Sequence, residues 1–187
     1  MPKDEVILVN ELDQEIGTMD KVEAHRGEGK LHRAISVYLF RERSDSSGPE
    51  LLIQQRSAQK IVGAGQWANT CCGNVRPGES YEDCAVRRLS EELGITGVEL
   101  QPLYKFHYHV RCNDEFSERE IDQVFIGFYD EQPQPNPDEV ATTDWVNWEK
   151  ITNKKQRSQL GKDIAPWFAI MLDDQKLIDS LNHQLSL

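Results

Sequence analysis

The stretch from Gly73 to Ile95, GNVRPGESYEDCAVRRLSEELGI, decides the fold. Its first part reads as a loop. From there on, Tyr81, Cys84/Ala85, Arg88/Leu89 and Glu92/Leu93 recur every three to four residues, the spacing of one helical face. Ser80 followed three residues later by Asp83 has the form of a capping box, and Gly94 stands at the C′ position where a left-handed residue stops a helix. A loop running into a helix over residues 80–93 is therefore predicted.

Outward from this unit the pattern is mostly that of strands. Residues 6–9 read as a short strand and 11–17 as the turn of a hairpin. Residues 34–40 are rich in β-formers and read as a more buried strand, 44–49 as a loop, and 51–55 as a strand pairing back antiparallel. Residues 98–110 and 121–129 are strands flanking the charged turn at 112–115, 133–137 is a proline-stiffened loop, and 145–148 closes the β region. From about 162 to 185, Trp167, Ile170/Met171, Leu177/Ile178 and Leu181 fall on one face, so a helical segment is expected to pack back on the sheet. No internal repeat is visible. The fold class is α+β: a mixed, largely antiparallel β-sheet with a central helix and C-terminal helices, in one domain over residues 1–187.

Composition narrows the function. At 187 residues, 38% hydrophobic and 28% charged, the chain fits a single globular core, and a net charge of −11 disfavours nucleic acid and anionic membranes as partners. No stretch approaches the roughly 20 apolar residues of a spanning helix. The N-terminal run is too short and wrongly flanked for a signal peptide, so a cytoplasmic protein is expected. Cys71, Cys72, Cys84 and Cys112 lack the spacing of a zinc cage or disulfide framework and are expected as free thiols.

The central stretch resembles the Nudix box: Gly, five residues, Glu, seven residues, Arg-Glu-apolar-any-Glu-Glu-any-Gly-apolar. Gly73, Glu79, Arg87, Leu89, Glu91, Glu92, Gly94 and Ile95 match. The resemblance implies a Nudix fold with box 73–95 and acidic residues holding Mg²⁺, a hard cation suited to a diphosphate. For single residues, a solvated helix with Arg87–Glu91 and Arg88–Glu92 pairs is the competing reading. One position departs, because Arg88 stands where the pattern has Glu.

That departure points to the type I isopentenyl-diphosphate delta-isomerases, which the chain resembles from Val6 to about Trp167. Asn69-Thr70-Cys71-Cys72 is similar to that family's catalytic strand, His25 and His32 to its two early histidines, and Glu118-Arg119-Glu120-Ile121-Asp122 to its Glu-x-Glu-Ile-Asp segment. His25 and His32 are spaced for a loop and not for one helical face; spacing alone leaves them open between surface histidines and ligands. Glu118 and Glu120 are two apart, so on a strand they share a face, which calls for a cation or a shared proton.

The resemblance implies Cys72 and Glu120 as the acid/base pair, and Tyr108 and Trp167 as aromatic neighbours of a carbocation. It implies Lys21, Arg56, Lys60 and Arg88 for the diphosphate and Mg²⁺ at Glu92. A second divalent metal (Mn²⁺, Mg²⁺ or Zn²⁺) is implied at His25, His32, Asn74, Glu118 and Glu120. Core packing competes for Trp167 and Cys72. Asn74 replaces a family histidine and offers a carbonyl oxygen, suited to Mg²⁺. The expected partner is a small isoprenoid diphosphate bound by a monomer or dimer, and the expected activity a metal-dependent isomerase. The other readings are a Nudix hydrolase cleaving a diphosphate linkage and a non-catalytic binder of a phosphorylated ligand.

Overall fold

The computed structural model describes residues 5–42 and 48–186; most of the loop read at 44–49 lies outside them. Among the described residues the sheet has nine strands: β1 Glu5–Val9, β2 Glu15–Asp20, β3 His32–Arg41, β4 Glu50–Arg56, β5 Trp67–Ala68, β6 Cys71–Asn74, β7 Gln101–Arg111, β8 Ser117–Phe128 and β9 Val140–Asn147. The helices are α1 Lys21–His25, α2 Tyr81–Leu93, α3 Trp148–Thr152, α4 Lys154–Arg157, α5 Pro166–Asp173 and α6 Gln175–Gln184.

β3 is the central strand. Residues 34–40 are at most 1% exposed, as expected for an apolar run covered on both faces. It pairs parallel with β8 from His32↔Glu120 to Phe40↔Phe128 and antiparallel with β6. The other strand pairs are antiparallel, so the sheet is mixed and largely antiparallel. Its alternation separates two cores. Ile35, Val37 and Leu39 pack with Cys84, Leu89 and Leu93 of α2, while Tyr38 and Phe40 pack with Phe168, Met171, Leu177 and Leu181 of α5 and α6. Each such side chain contributes about 1.5–3 kcal/mol by leaving water. Among the described residues, no helix is long and apolar enough to cross a membrane.

The central helix forms as its sequence dictates. Ser80 Oγ accepts from the Asp83 N–H, Asp83 returns the bond to the Ser80 N–H, and Gly94 adopts φ 65° to end the helix.

Three local expectations change. β3 and β4 meet only at Phe40↔Leu51 and Arg41↔Glu50; the long partner of β4 is β9, because β3 is already flanked by β6 and β8. The expected C-terminal helices start at Pro166 and not near 162: Pro166 opens α5, and Asp174, whose side chain accepts from the Leu177 N–H, ends it and caps α6. Ile170 on the expected apolar stripe is 36% exposed. His25, read as a loop residue, closes α1, a helix capped by Asp20 through the N–H groups of Val22 and Glu23.

Candidate active site

Strand register brings most of the catalytic candidates together. On the β3 face that turns toward α5, His32 is level with Glu120, Ser36 with Cys72, and Ala34 with both Asn74 and Asp122, while Tyr108 on β7 is level with Glu120. Glu118 and Glu120, two apart on β8, share that face as expected. α1 then swings His25 in beside His32, ring centroids 4.7 Å apart.

His25, His32, Glu118 and Glu120 are all buried, and one potential ligand atom from each lies within 4.8 Å of the others. Both imidazoles are locked from behind. His25 Nδ1 donates to the Lys21 carbonyl at 2.6 Å and His32 Nδ1 to the Lys30 carbonyl at 2.7 Å. A carbonyl only accepts, so Nδ1 carries the proton and Nε2 of the neutral ring turns a lone pair into the cluster, as metal-bound histidines do. His25 Nε2 lies 3.0 Å from Glu118 Oε2 and His32 Nε2 lies 3.2 Å from Glu120 Oε1. Glu118 Oε2 is buried and makes no hydrogen bond. Potential ligand atoms from four side chains thus converge, a donor set that fits a divalent cation. Burial and the neighbouring Glu118 push the Glu120 carboxyl well above its ordinary range. Asn74 closes the cluster, its Nδ2 donating to His32 Nε2 and Glu120 Oε1 at 3.0 Å each.

Cys72 stands nearby with its S–H donated to Asn69 Oδ1 at 2.9 Å. The Asn69 amide cannot turn, because its Nδ2 serves the Val37 and Cys71 carbonyls. Burial and the Asp122 carboxylate push the Cys72 thiol up to about 12, so it holds its proton at neutral pH. Ser36 Oγ, 3.7 Å from Cys72 Sγ, donates to Asp122 Oδ2 at 2.6 Å. The Tyr108 hydroxyl donates to Glu120 Oε2 at 2.5 Å.

His25, Cys72, Asn74, Tyr108, Glu118 and Glu120 border one cavity of about 520 Å³, lined also by Lys21, Arg56, Lys60, Arg88 and Trp167. Trp167 is 3% exposed, so it serves both core and cavity wall. The Arg56 guanidinium lies 5.1 Å from the centre of its ring and donates to the Val62 carbonyl. Burial together with Lys60, Arg88 and Arg56 lowers the Lys21 ammonium to about 8. Glu92 is completely buried and reaches the cavity only through Lys60 and Arg88, which hold its Oε1, while Gln54 and Cys71 hold its Oε2. Burial alone would raise Glu92, but Arg88 and Lys60 bring it down to about 2.

The sequence reading did not assign four residues that touch this site: Asn69, Ser36, Asp122 and Glu139. Asn69 and Asp122 lie in quoted motifs, and strand alternation from His32 and Glu120 points to Ser36 and Asp122. Glu139 follows the 133–137 loop and carries no motif.

Residues 30–168 match the NUDIX domain family. The isopentenyl-diphosphate Delta-isomerase of Pectobacterium atrosepticum is 38% identical over 170 residues, 91% of this chain and 90% of that protein. The isopentenyl-diphosphate Delta-isomerase 1 of Aromatoleum aromaticum is 46% identical over 145 residues, 78% of each. Among solved structures, DR0079 from Deinococcus radiodurans superposes with a TM-score of 0.70 at 22% identity, covering 90% of this chain and 97% of that one, a likeness of fold.

Proposed function

We propose, for a chain that belongs to the NUDIX domain family and within it to the isopentenyl-diphosphate Delta-isomerases, that it interconverts isopentenyl and dimethylallyl diphosphate by paired proton transfers between Cys72 and Glu120. The observation that carries the reading is the pairing of a protonated thiol and a carboxylate in one cavity that also holds a cationic wall.

The cavity supplies each step with a group. Lys21 and Arg56 have no carboxylate partner among the described residues and, with Lys60 and Arg88, would hold the diphosphate. Cys72 gives its proton to the terminal methylene carbon: the S–H bond breaks, a C–H bond forms from the alkene's π pair, and the tertiary carbon is left positive. Glu120 takes a proton from the adjacent methylene, and the released C–H pair becomes the new double bond. The turnover ends with a thiolate at Cys72 and a protonated Glu120, and the reverse reaction uses the same pair in opposite roles. The Tyr108 and Trp167 rings offer π faces to the positive carbon and keep water from it.

A divalent cation on His25, His32, Glu118 and Glu120, when bound, would hold Glu120 ionised against its burial. A half-turn of the Asn74 amide would exchange its N–H₂ for a carbonyl oxygen at the same cluster. Mg²⁺ at Glu92 would have to share Oε1 with Lys60 and Arg88, so it suits a cation arriving with the diphosphate. The four free thiols agree with a reducing, cytoplasmic setting.

The test is isopentenyl diphosphate in deuterium oxide with Mg²⁺ or Mn²⁺. Allylic isomer and deuterium incorporation, both abolished in Cys72→Ala, are expected; inorganic phosphate release without isomer would indicate hydrolysis instead. The isomerase reading is favoured because Arg88 ties up Glu91 and Glu92, carboxylates that a hydrolytic metal would need.

A further inference from the structure

We infer that Glu139 is a stand-in anion: its carboxylate occupies the place between Lys60 and Arg88 that a diphosphate oxygen takes, and binding of the diphosphate displaces it. The inference rests on the reading that this cavity receives a diphosphate, and it adds a residue that controls how tightly.

One oxygen carries the contact. Glu139 Oε2 accepts from Lys60 Nζ and, at 3.1 Å, from Arg88 Nη2. A phosphoryl oxygen bound by both cations would sit at the same junction. The same two cations also hold Glu92, but the two carboxylates differ in their freedom to leave. Glu92 is fully buried and anchored on its far oxygen by Gln54 at 2.8 Å. The Glu139 side chain is 29% exposed, lines the cavity, and has no described partner besides the two cations.

Its backbone, in contrast, is fixed. The loop that carries it docks on the end of α2, with the Gln134 N–H donating to the Leu93 carbonyl at 2.7 Å and the Asn136 N–H to the Glu92 carbonyl at 2.9 Å. The Ser57 N–H donates to the Glu139 carbonyl at 3.0 Å. Only side-chain torsions need change for the carboxylate to swing out, and the loop holds it close enough to return.

The arrangement has an electrostatic reason. Lys21, Arg56, Lys60 and Arg88 converge on one cavity, and in the free chain Glu139 joins Glu92 in offsetting two of them, Lys60 and Arg88. Glu139 keeps Lys60 and Arg88 aimed while the cavity is free and withdraws one negative charge when a more highly charged anion arrives. As a positioning residue it therefore weakens binding by competition.

The test is calorimetric titration of inorganic diphosphate, with excess Mg²⁺, into the full chain and into Glu139→Gln. The variant is expected to bind about tenfold more tightly, since one competing charged acceptor is gone, and its ligand-free form to melt at a lower temperature. Tightening is a gain that general structural damage does not produce. Equal or weaker binding by a variant that still melts cooperatively overturns the inference. If the unaltered chain itself binds no diphosphate, the underlying reading of the cavity fails and takes the inference with it. Should the glutamine variant not fold, Glu139→Asp, whose shorter side chain retracts from the two cations, is judged by the same direction of change.

Discussion

Asn74 and His32 are joined across the β3–β6 pair, the amide Nδ2 standing 3.0 Å from the imidazole Nε2 that faces the cation cluster. The amide adds a weak neutral donor where an imidazole would bind late first-row metals better. Asn74→His is therefore expected to raise affinity for Mn²⁺ or Zn²⁺ roughly tenfold or more, with a smaller gain for Mg²⁺. Competition titration against a chelating dye checks this. Unchanged affinity for all three ions would mean that position 74 does not reach the cation.

Two cavity-lining groups, Cys72 and Lys21, predict a split pH profile. Cys72, pushed up to about 12, stays protonated through the physiological range, so a thiol acting as the proton donor gives a kcat that is flat from pH 7 to 9. A thiol acting as thiolate would instead make kcat rise about tenfold per pH unit over that range. Lys21, brought down to about 8, is charged below that pH and neutral above it, so kcat/KM, which reports the free protein, should fall above about 8. Steady-state kinetics from pH 6 to 10 separate the two limbs.

Much of this site was legible because its determinants are local. The capping box Ser80/Asp83 and the stop at Gly94 depend on side chains a few residues apart, and the shared face of Glu118 and Glu120 follows from strand alternation. What was illegible is non-local. The five residues of α1 are too few for periodicity, and their helix depends on the Asp20 cap and on burial of Ala24 and His25. The parallel β3–β8 pairing joins residues 32–40 to 120–128 through no local signal. Glu139 meets Arg88 only because the 133–137 loop hydrogen-bonds to the end of α2. At Asp174 the apolar period runs on across a break that only a capping side chain reveals.

Asn69 is predicted to act through Cys72. Removing its amide in Asn69→Ala frees the thiol to turn away and leaves the Val37 and Cys71 carbonyls short of a donor, costing about 1–3 kcal/mol of stability. At temperatures where the variant remains folded, kcat should fall about ten- to a hundredfold with little change in KM, since Asn69 does not line the diphosphate wall. Thermal melts and steady-state rates measured together check this; a KM effect with unchanged kcat would show that Asn69 does not aim the thiol.

Gly63 sets the position of Trp167. Its φ of 64° lies in the left-handed region, and a Cβ there would stand 2.5 Å from Trp167 Cη2, 3.1 Å from Cζ3 and 3.3 Å from Arg56 Nε. Gly63→Ala thus meets two costs: a backbone penalty of about 1–2 kcal/mol, and displacement of the ring together with the guanidinium above it. Gly65 separates them, because it has φ 74° but nothing within 4 Å of its Cβ direction, so Gly65→Ala carries the backbone penalty alone. Both variants should lose stability in thermal melts, Gly63→Ala the more. Gly63→Ala alone should also lower kcat, raise KM for the diphosphate and alter Trp fluorescence, since a shifted Trp167 moves one π wall and the Arg56 charge away from the substrate. Equal kinetic effects in the two variants would trace the loss to the 57–66 loop as a whole and remove Trp167 from the cavity wall that the carbocation meets.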